Sequence, residues 1–292
     1  MNKDEKSKLK VVTHADDFGV IAESTEIFLD LLQKKAIDEI SIVSNCLGFQ
    51  DSIAELNSYL KDQNNVKIWG HLNLIEGNFI NLNPISKEPS NFFPSNFYKL
   101  FVINYFSSKK KKHKISLQIA EEFDSQINVL KSNLYPVELY GIDSHMHLHC
   151  IPIVWNEYEK LAKQHNLKMR VPSERLYLSD PIDLVRFTYL IGIIKNIVLK
   201  VLNSSNIGKH ESNFVGVIYS GEMTAKRAIK GLDKFSKVKN EFELRVLFHP
   251  GKPTNMHSSS QTSRKLRRWY GSRNRHREYS EAIKFLDFRK NT

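Results

Sequence analysis

The chain has 292 residues, 41% of them hydrophobic, two cysteines and a formal charge of +11. That length and apolar content suit one large α/β domain or two smaller ones with a sizeable core. Two cysteines exclude a disulfide scaffold and fit a reducing cytosol, and a positive balance of this size can meet nucleic acid, anionic lipid or an acidic substrate.

The first twelve residues, MNKDEKSKLKVV, carry charge with no apolar run behind them and do not read as a signal peptide. A short strand at 10–14 then runs into THADDFG. Neighbouring side chains on a strand point to opposite faces, but at a strand end the twist lets Asp16 and Asp17 reach one site in different roles. The plainer reading has one aspartate capping the next helix and the other solvated. A helix at 20–35, a strand at 39–45 and a helix at 51–61 follow. The strand at 66–74, VKIWGHLNL, holds His71, which taken alone is either a hydrogen-bonded core residue or a ligand.

Residues 75–114 break the rhythm. They are rich in Asn, Pro, Phe and Lys and too long for a plain connection, so a lid or binding loop is expected. Their end, KKKKHK at 109–114, reads either as an anion-binding cluster or as a solvated loop. Helical spacing resumes at 115–130 with Ile115, Ile119, Phe123, Ile127 and Leu130.

The next strand, 138–147, leads into GIDSHMHLHC. Period two would place Asp143, His145, His147 and His149 on one face and Ile142, Met146 and Leu148 on the other. Such a face suits a metal site, a proton relay or a wet strand edge. Three histidines along one strand span too far to share an ion, so one ligand is expected, with the others as neighbours, acids or substrate contacts. Cys150 reads as an ordinary buried cysteine. A helix at 153–165 precedes a strand at 167–172 that contains Arg170.

The segment 182–202 includes FTYLIGIIKNIVLKVL, interrupted by Lys195 and Lys200. It is a poor spanning helix and reads as buried or interfacial. Asn203, Ser204 and Gly208 would end it. A strand at 214–220, a helix at 223–235 and a strand at 242–250 ending in HPG complete the alternation, with a last helix at 279–287. His249 at the strand end suits proton transfer. Between them, RKLRRWYGSRNRHR at 264–277 interleaves Trp269 and Tyr270 with arginines, as an RNA- or sugar-binding surface does.

Strands alternating with helices predict a parallel sheet. We expect an α/β fold of one domain over 1–292, a TIM-like (β/α) barrel with about seven parallel strands and its active site at the C-terminal strand ends. Insertions are expected near 75–114 and 182–212, and a basic segment at 255–277. Asp16, Asp17, His71, Asp143, His145, His147, Arg170 and His249 would then converge on one mouth. Two histidines and a carboxylate are a sufficient catalytic metal set, although the ligand types do not name the ion.

Taken together, ADDFG (15–19), WGHLNLIEG (69–77), DSHMHLH (143–149), Arg170 with Pro172, Phe214 with Gly216 and Ser220-Gly221, and HPG (249–251) resemble the YdjC/ChbG family of carbohydrate deacetylases, in family order over about 10–285. The resemblance implies an incomplete β/α barrel. It implies that Asp17, His71 and His145 hold one divalent ion, magnesium by resemblance, with zinc or another transition metal as the alternative. It makes Asp16 the catalytic base. His14 stands where the family often has asparagine, and Ile75 replaces a common threonine.

The function expected is removal of acetyl from an N-acetylated sugar, free or lipid-linked, with His249 or His147 protonating the amine and Arg170 orienting Asp16 or substrate. A phosphoesterase and an RNA-binding derivative are the alternatives, and the intact polar set argues against nucleic acid as the partner. A cytoplasmic location is expected, with the apolar segment 182–202 and the basic clusters suited to peripheral contact at the inner membrane face. A homodimer is left open.

Overall fold

In the computed structural model, which describes residues 9–291 apart from 64, 82–96, 208, 210, 236–241 and 255–267, seven parallel strands close into a barrel in chain order. They are β1 (Leu9–Phe18), β2 (Glu39–Ile42), β3 (Lys67–Leu72), β4 (Gly141–Ser144), β5 (Lys168–Ser173), β6 (Glu211–Val215) and β7 (Phe242–Phe248). β1 closes the ring on β7 in unbroken register from Leu9↔Phe242 to Ala15↔Phe248. The expected TIM-like (β/α) barrel is the fold found.

Strand period two explains the core. Ile40 and Ile42 on β2, Ile68 on β3, Ile142 on β4, Val171 on β5 and Val246 on β7 are buried against the surrounding helices. The opposite parity fills the barrel with polar groups. Glu39 accepts from Arg245 Nε at 2.9 Å and from Trp69 Nε1 at 3.1 Å, and lies 2.9 Å from His14 Nδ1. Buried charges persist only when paired in this way.

The helices are α1 (Thr25–Gln33), α2 (Phe49–Leu60), α3 (Phe97–Phe106), α4 (Lys109–Leu134), α5 (Pro152–Gln164), α6 (Phe187–Leu202), α7 (Ala225–Asp233) and α8 (Arg273–Lys290). α4 forms because Ile115, Ile119, Phe123, Ile127, Leu130 and Leu134 recur on one buried face, and Ser108 caps its start by accepting from Lys111 N–H at 3.3 Å. Pro152 at the first position of α5 gives up a hydrogen bond no helix makes there.

Three expectations need correction. The lysine run is not a loop but the first turns of α4, and 97–106 of the expected 75–114 insertion is helical; 82–96 lies outside the described residues. β6 lies earlier than 214–220. β4 stops at Ser144, so the histidines that follow are not on a strand. His145–Cys150 forms 3-10 turns in which Met146 and His147 take φ of 53° and 57°. Ser144 Oγ fixes the exit: it accepts from His149 N–H at 2.9 Å and pairs with His149 Nδ1 at 2.7 Å. Of the expected basic segment 255–277 and the helix stop at 203–208, residues 255–267 and Gly208 lie outside the described residues.

Candidate metal centre and active site

Both aspartates of THADDFG face the barrel mouth because β1 is irregular there. Its register against β2 shifts between Ala15 and Phe18, and Asp17 takes φ 73°. A bulge re-aims side chains at a strand end. A left-handed non-glycine residue costs roughly 1–2 kcal/mol, strain characteristic of functional positions.

Asp17 Oδ1 lies 3.1 Å from His145 Nδ1 and 3.6 Å from His71 Nε2. One donor atom from each of these buried residues falls within 4.8 Å of the other two. His71 is oriented from behind, its Nδ1 hydrogen-bonded to Asp143 Oδ1, so Nε2 faces Asp17. Arg275 Nη1 donates to Asp17 Oδ2 at 3.1 Å and leaves Oδ1 to the imidazoles. Glu76 Oε1, which accepts from the Tyr270 hydroxyl, lies 3.1 Å from His145 Nε2 but out of hydrogen-bond alignment. Glu76 Oε2 and His145 Nε2 are buried with no hydrogen-bond partner among the described residues. One carboxylate oxygen and two imidazole nitrogens within 4.8 Å of one another are a donor set a divalent ion would satisfy, so the residues present fit a metal.

Electrostatics agree. Burial disfavours charge on both rings, but Asp143 and Asp16 around His71, and Asp17 and Glu76 around His145, outweigh it and push the two up to about 10 and about 9. Burial likewise raises the Asp17 carboxyl, and His145, His71 and Arg275 reverse this and hold it well below the usual carboxylate range. The site carries surplus negative charge that only protons or a cation relieve.

A second group, His14, Asp16 and Asp143, has similar spacing, but a cation already sits in it. Arg170 clasps Asp16 with two bonds, 2.9 and 2.8 Å, and its Nη1 lies 3.0 Å from Asp143 Oδ2. Ser41 Oγ donates to the same Asp143 oxygen at 2.5 Å, and His14 Nε2 lies 3.2 Å from Asp16 Oδ1. Burial raises the Asp16 carboxyl, and Arg170, His71 and His14 together hold it well below its usual range. It is therefore a carboxylate at neutral pH, able to accept a proton.

His249 lines the same mouth. Its ring meets Trp269 edge-on at 5.4 Å, and Nδ1 lies 3.8 Å from Glu278 Oε2. Burial brings His249 down to about 4 and raises Glu278 to about 7. His147 is buried edge-on to Phe214 at 6.2 Å, and its Nδ1 has no hydrogen-bond partner among the described residues. His149 instead stacks on Tyr158 at 4.8 Å and serves the turn.

The expected residues Asp16, Asp17, His71, His145, His147, Arg170 and His249 are thus placed around one mouth. Asp143, expected at that mouth, is bonded to His71, and four more are added by the structure: Glu76, Tyr270, Arg275 and Glu278. Tyr270 and Arg275 correct a reading, because they lie in the basic segment 264–277 yet are fully buried beside Asp17 and Glu76 rather than on a binding surface. Trp269 packs over Gly221, where φ is 79° and a Cβ would strike the indole at 2.0 Å. That close approach explains the glycine of the Ser220-Gly221 pair.

Fold and donor set define a β/α barrel whose strand ends carry a buried carboxylate–imidazole site. The family model for YdjC-like proteins matches residues 10–283, and the chain belongs to that family. A comparison with curated proteins finds no match. Among solved structures, an Enterococcus faecalis protein assigned to cellobiose-phosphate cleavage is 15% identical, covering 95% of this chain and 96% of its own, with a TM-score of 0.54. A CE4 esterase from Streptococcus mutans is 14% identical over 98% of this chain and 84% of its own, with a TM-score of 0.43. The first is a likeness of fold alone.

Proposed function

We propose that the chain is a metal-dependent hydrolase that removes acetyl from an N-acetylated sugar. The observation that carries this is the Arg170-clasped carboxylate of Asp16 standing next to the Asp17–His71–His145 donor set. Those three residues would hold one divalent ion, magnesium by family resemblance. When bound, such an ion supplies a Lewis acid for an amide carbonyl and lowers the pKa of water.

The chain's own groups do the rest. Asp16 accepts the proton of the attacking water. Its bonds to Arg170 and His14 make it a weak base, so it needs an acidified water as partner. Arg170 also fixes the angle of the carboxylate. His249 protonates the leaving amine, which is a poor leaving group without that proton. Asp17 and Asp16 act to hold a proton on that ring against the burial that disfavours it. His147, neutral because burial holds it well below its ordinary value, contacts substrate at the mouth wall. The filling of the second acidic group by Arg170 favours one ion over the paired ions of many phosphoesterases.

Acetate release from N-acetylglucosamine oligomers tests the reading. Activity is expected with a divalent ion, to vanish with EDTA, and to fall roughly 10²–10⁴-fold in Asp16→Asn, the range for loss of a positioned base. Turnover of para-nitrophenyl phosphate with none of acetylated sugars, free or lipid-linked, would overturn it.

A further inference from the structure

α6 is amphipathic the wrong way round. Tyr189, Gly192, Asn196 and Leu199 face the protein, while Phe187, Leu190, Ile191, Ile194, Ile197 and Val201 face outward at three- and four-residue spacing. Phe187 is 75% exposed, Ile194 62% and Val201 69%. Of the 17 exposed large hydrophobic side chains among the described residues, 10 fall within 176–201, so this is a patch rather than scatter. The 3-10 segment Pro181–Val185, held by an Asp180–Asp183 capping box, continues it.

The patch sits at the barrel mouth. A Cβ on Gly192 would strike Ile218 O at 2.0 Å, so only glycine lets the α6 backbone lie on the loop after β6. Asn196 Nδ2 donates to Glu174 O at 2.9 Å, just past β5. Leu199 is buried with Cys150, Phe214, Val217 and Leu247, and Phe97 of α3 packs on that cluster. Lys195 is close enough to bear electrostatically on His147 and His249. α3 adds exposed Tyr98, Val102, Tyr105 and Phe106, the last 80% exposed.

Charge identifies what covers this face. Directly after Phe106 the chain places Lys109, Lys110, Lys111 and Lys112 in the first turn of α4, the positive end of the helix dipole. Cations there are unfavourable. No acidic side chain lies in that first turn, so an external anion would offset the lysines. A second copy would carry the same net charge of +11, whereas an anionic bilayer neutralises the lysines. Among the described residues no helix is long and apolar enough to cross a membrane. An exposed apolar surface followed in the chain by lysines suits the interface plane instead.

We propose that the outer face of 181–202, with α3 and the lysines of α4, docks on an anionic lipid bilayer and holds the barrel mouth at its surface. Combined with the deacetylase reading, on which this one consequence rests, the substrate class becomes an acetylated sugar carried on a membrane lipid.

Docking is tested without activity, by co-sedimentation of the full chain with phosphatidylcholine vesicles with and without phosphatidylglycerol. Binding is expected only with phosphatidylglycerol and is expected to weaken with salt. Ile194→Glu with Phe187→Glu should reduce it more than about tenfold through lost apolar burial. Lys110→Glu and Lys111→Glu should each cost about fivefold or more, the equivalent of roughly 1 kcal/mol per lysine at an anionic surface. All four positions are exposed, and an unchanged circular dichroism melt confirms folding. No vesicle binding, or binding untouched by the α6 variants, overturns the proposal. So does a dimer that the α6 variants dissociate in the absence of vesicle binding, which would make the face a subunit contact. None of these outcomes bears on acetate release from soluble oligomers, so docking and chemistry fail separately.

Discussion

His71 and His145, at about 10 and about 9, both carry protons in the metal-free protein at neutral pH. An ion taking a lone pair from each ring must displace those protons. Binding near pH 7 should therefore release more than one proton per ion, approaching two, and affinity should climb with pH. Calorimetric titration in buffers of different ionisation enthalpy measures this directly. An affinity flat between about pH 6 and 8 would place the ion elsewhere. At this scale the sequence was informative where chemistry and motif coincided, as in Asp16, Asp17, His71 and His145. It assigned no role to Glu76, although WGHLNLIEG contains it, or to Arg275. A glutamate after a strand and an arginine in a run of arginines look like solvated charges, and only closure of α8 onto β1 brings Arg275 to Asp17.

The elements hold the site through buried carboxylates at their ends. Glu174, just past β5, accepts from the backbone N–H groups of Gly216, Val217 and Ile218 at 2.9, 2.8 and 2.7 Å. It ties the exit of β6 to that of β5 and so seats the loop on which α6 rests. Glu174→Ala would orphan three buried donors, an expected loss of roughly 3–5 kcal/mol in urea unfolding. A loss under about 1 kcal/mol would mean that water replaces the carboxylate. Glu278 holds His249 and Met223 in the same way. Strand count and barrel class were legible because apolar runs alternate with helical spacing along the whole chain. The 143–149 stretch misled, because polar–apolar alternation is also produced by turns. Ser144 stops the strand, and left-handed Met146 and His147 carry no glycine signal. His145 thus reaches Asp17 by a turn of the chain rather than by strand parity.

For the whole molecule, buried titratable groups predict how stability follows pH. His149 and His249 are held neutral by burial, at about 3 and about 4. The unfolded chain binds protons there that the folded one refuses, so stability falls as pH drops below about 6.5. Asp16, Asp17 and Asp143 are depressed despite burial, by Arg170, the histidines and Arg275, and add a further loss at lower pH. Glu174 and Glu278 oppose this: burial raises both to about 7, so their contribution is lost as pH rises from about 4.5 to 7, offsetting the histidine gain. His71 and His145 contribute stability present below about 6.5 and lost as pH rises through 9 and 10. The urea midpoint of chelator-treated protein should therefore be nearly flat between about pH 5 and 6.5, fall below that range, and fall above it as the unfolded chain loses the two protons that folded His71 and His145 keep. The alkaline fall belongs to two protonated rings that a bound ion would leave neutral. A saturating divalent ion should raise the whole curve and hold it up through the alkaline limb, while the acid limb stays because protons then compete with the ion. An alkaline limb indifferent to metal would show that His71 and His145 are not its ligands, and would remove the donor set on which the hydrolase reading stands.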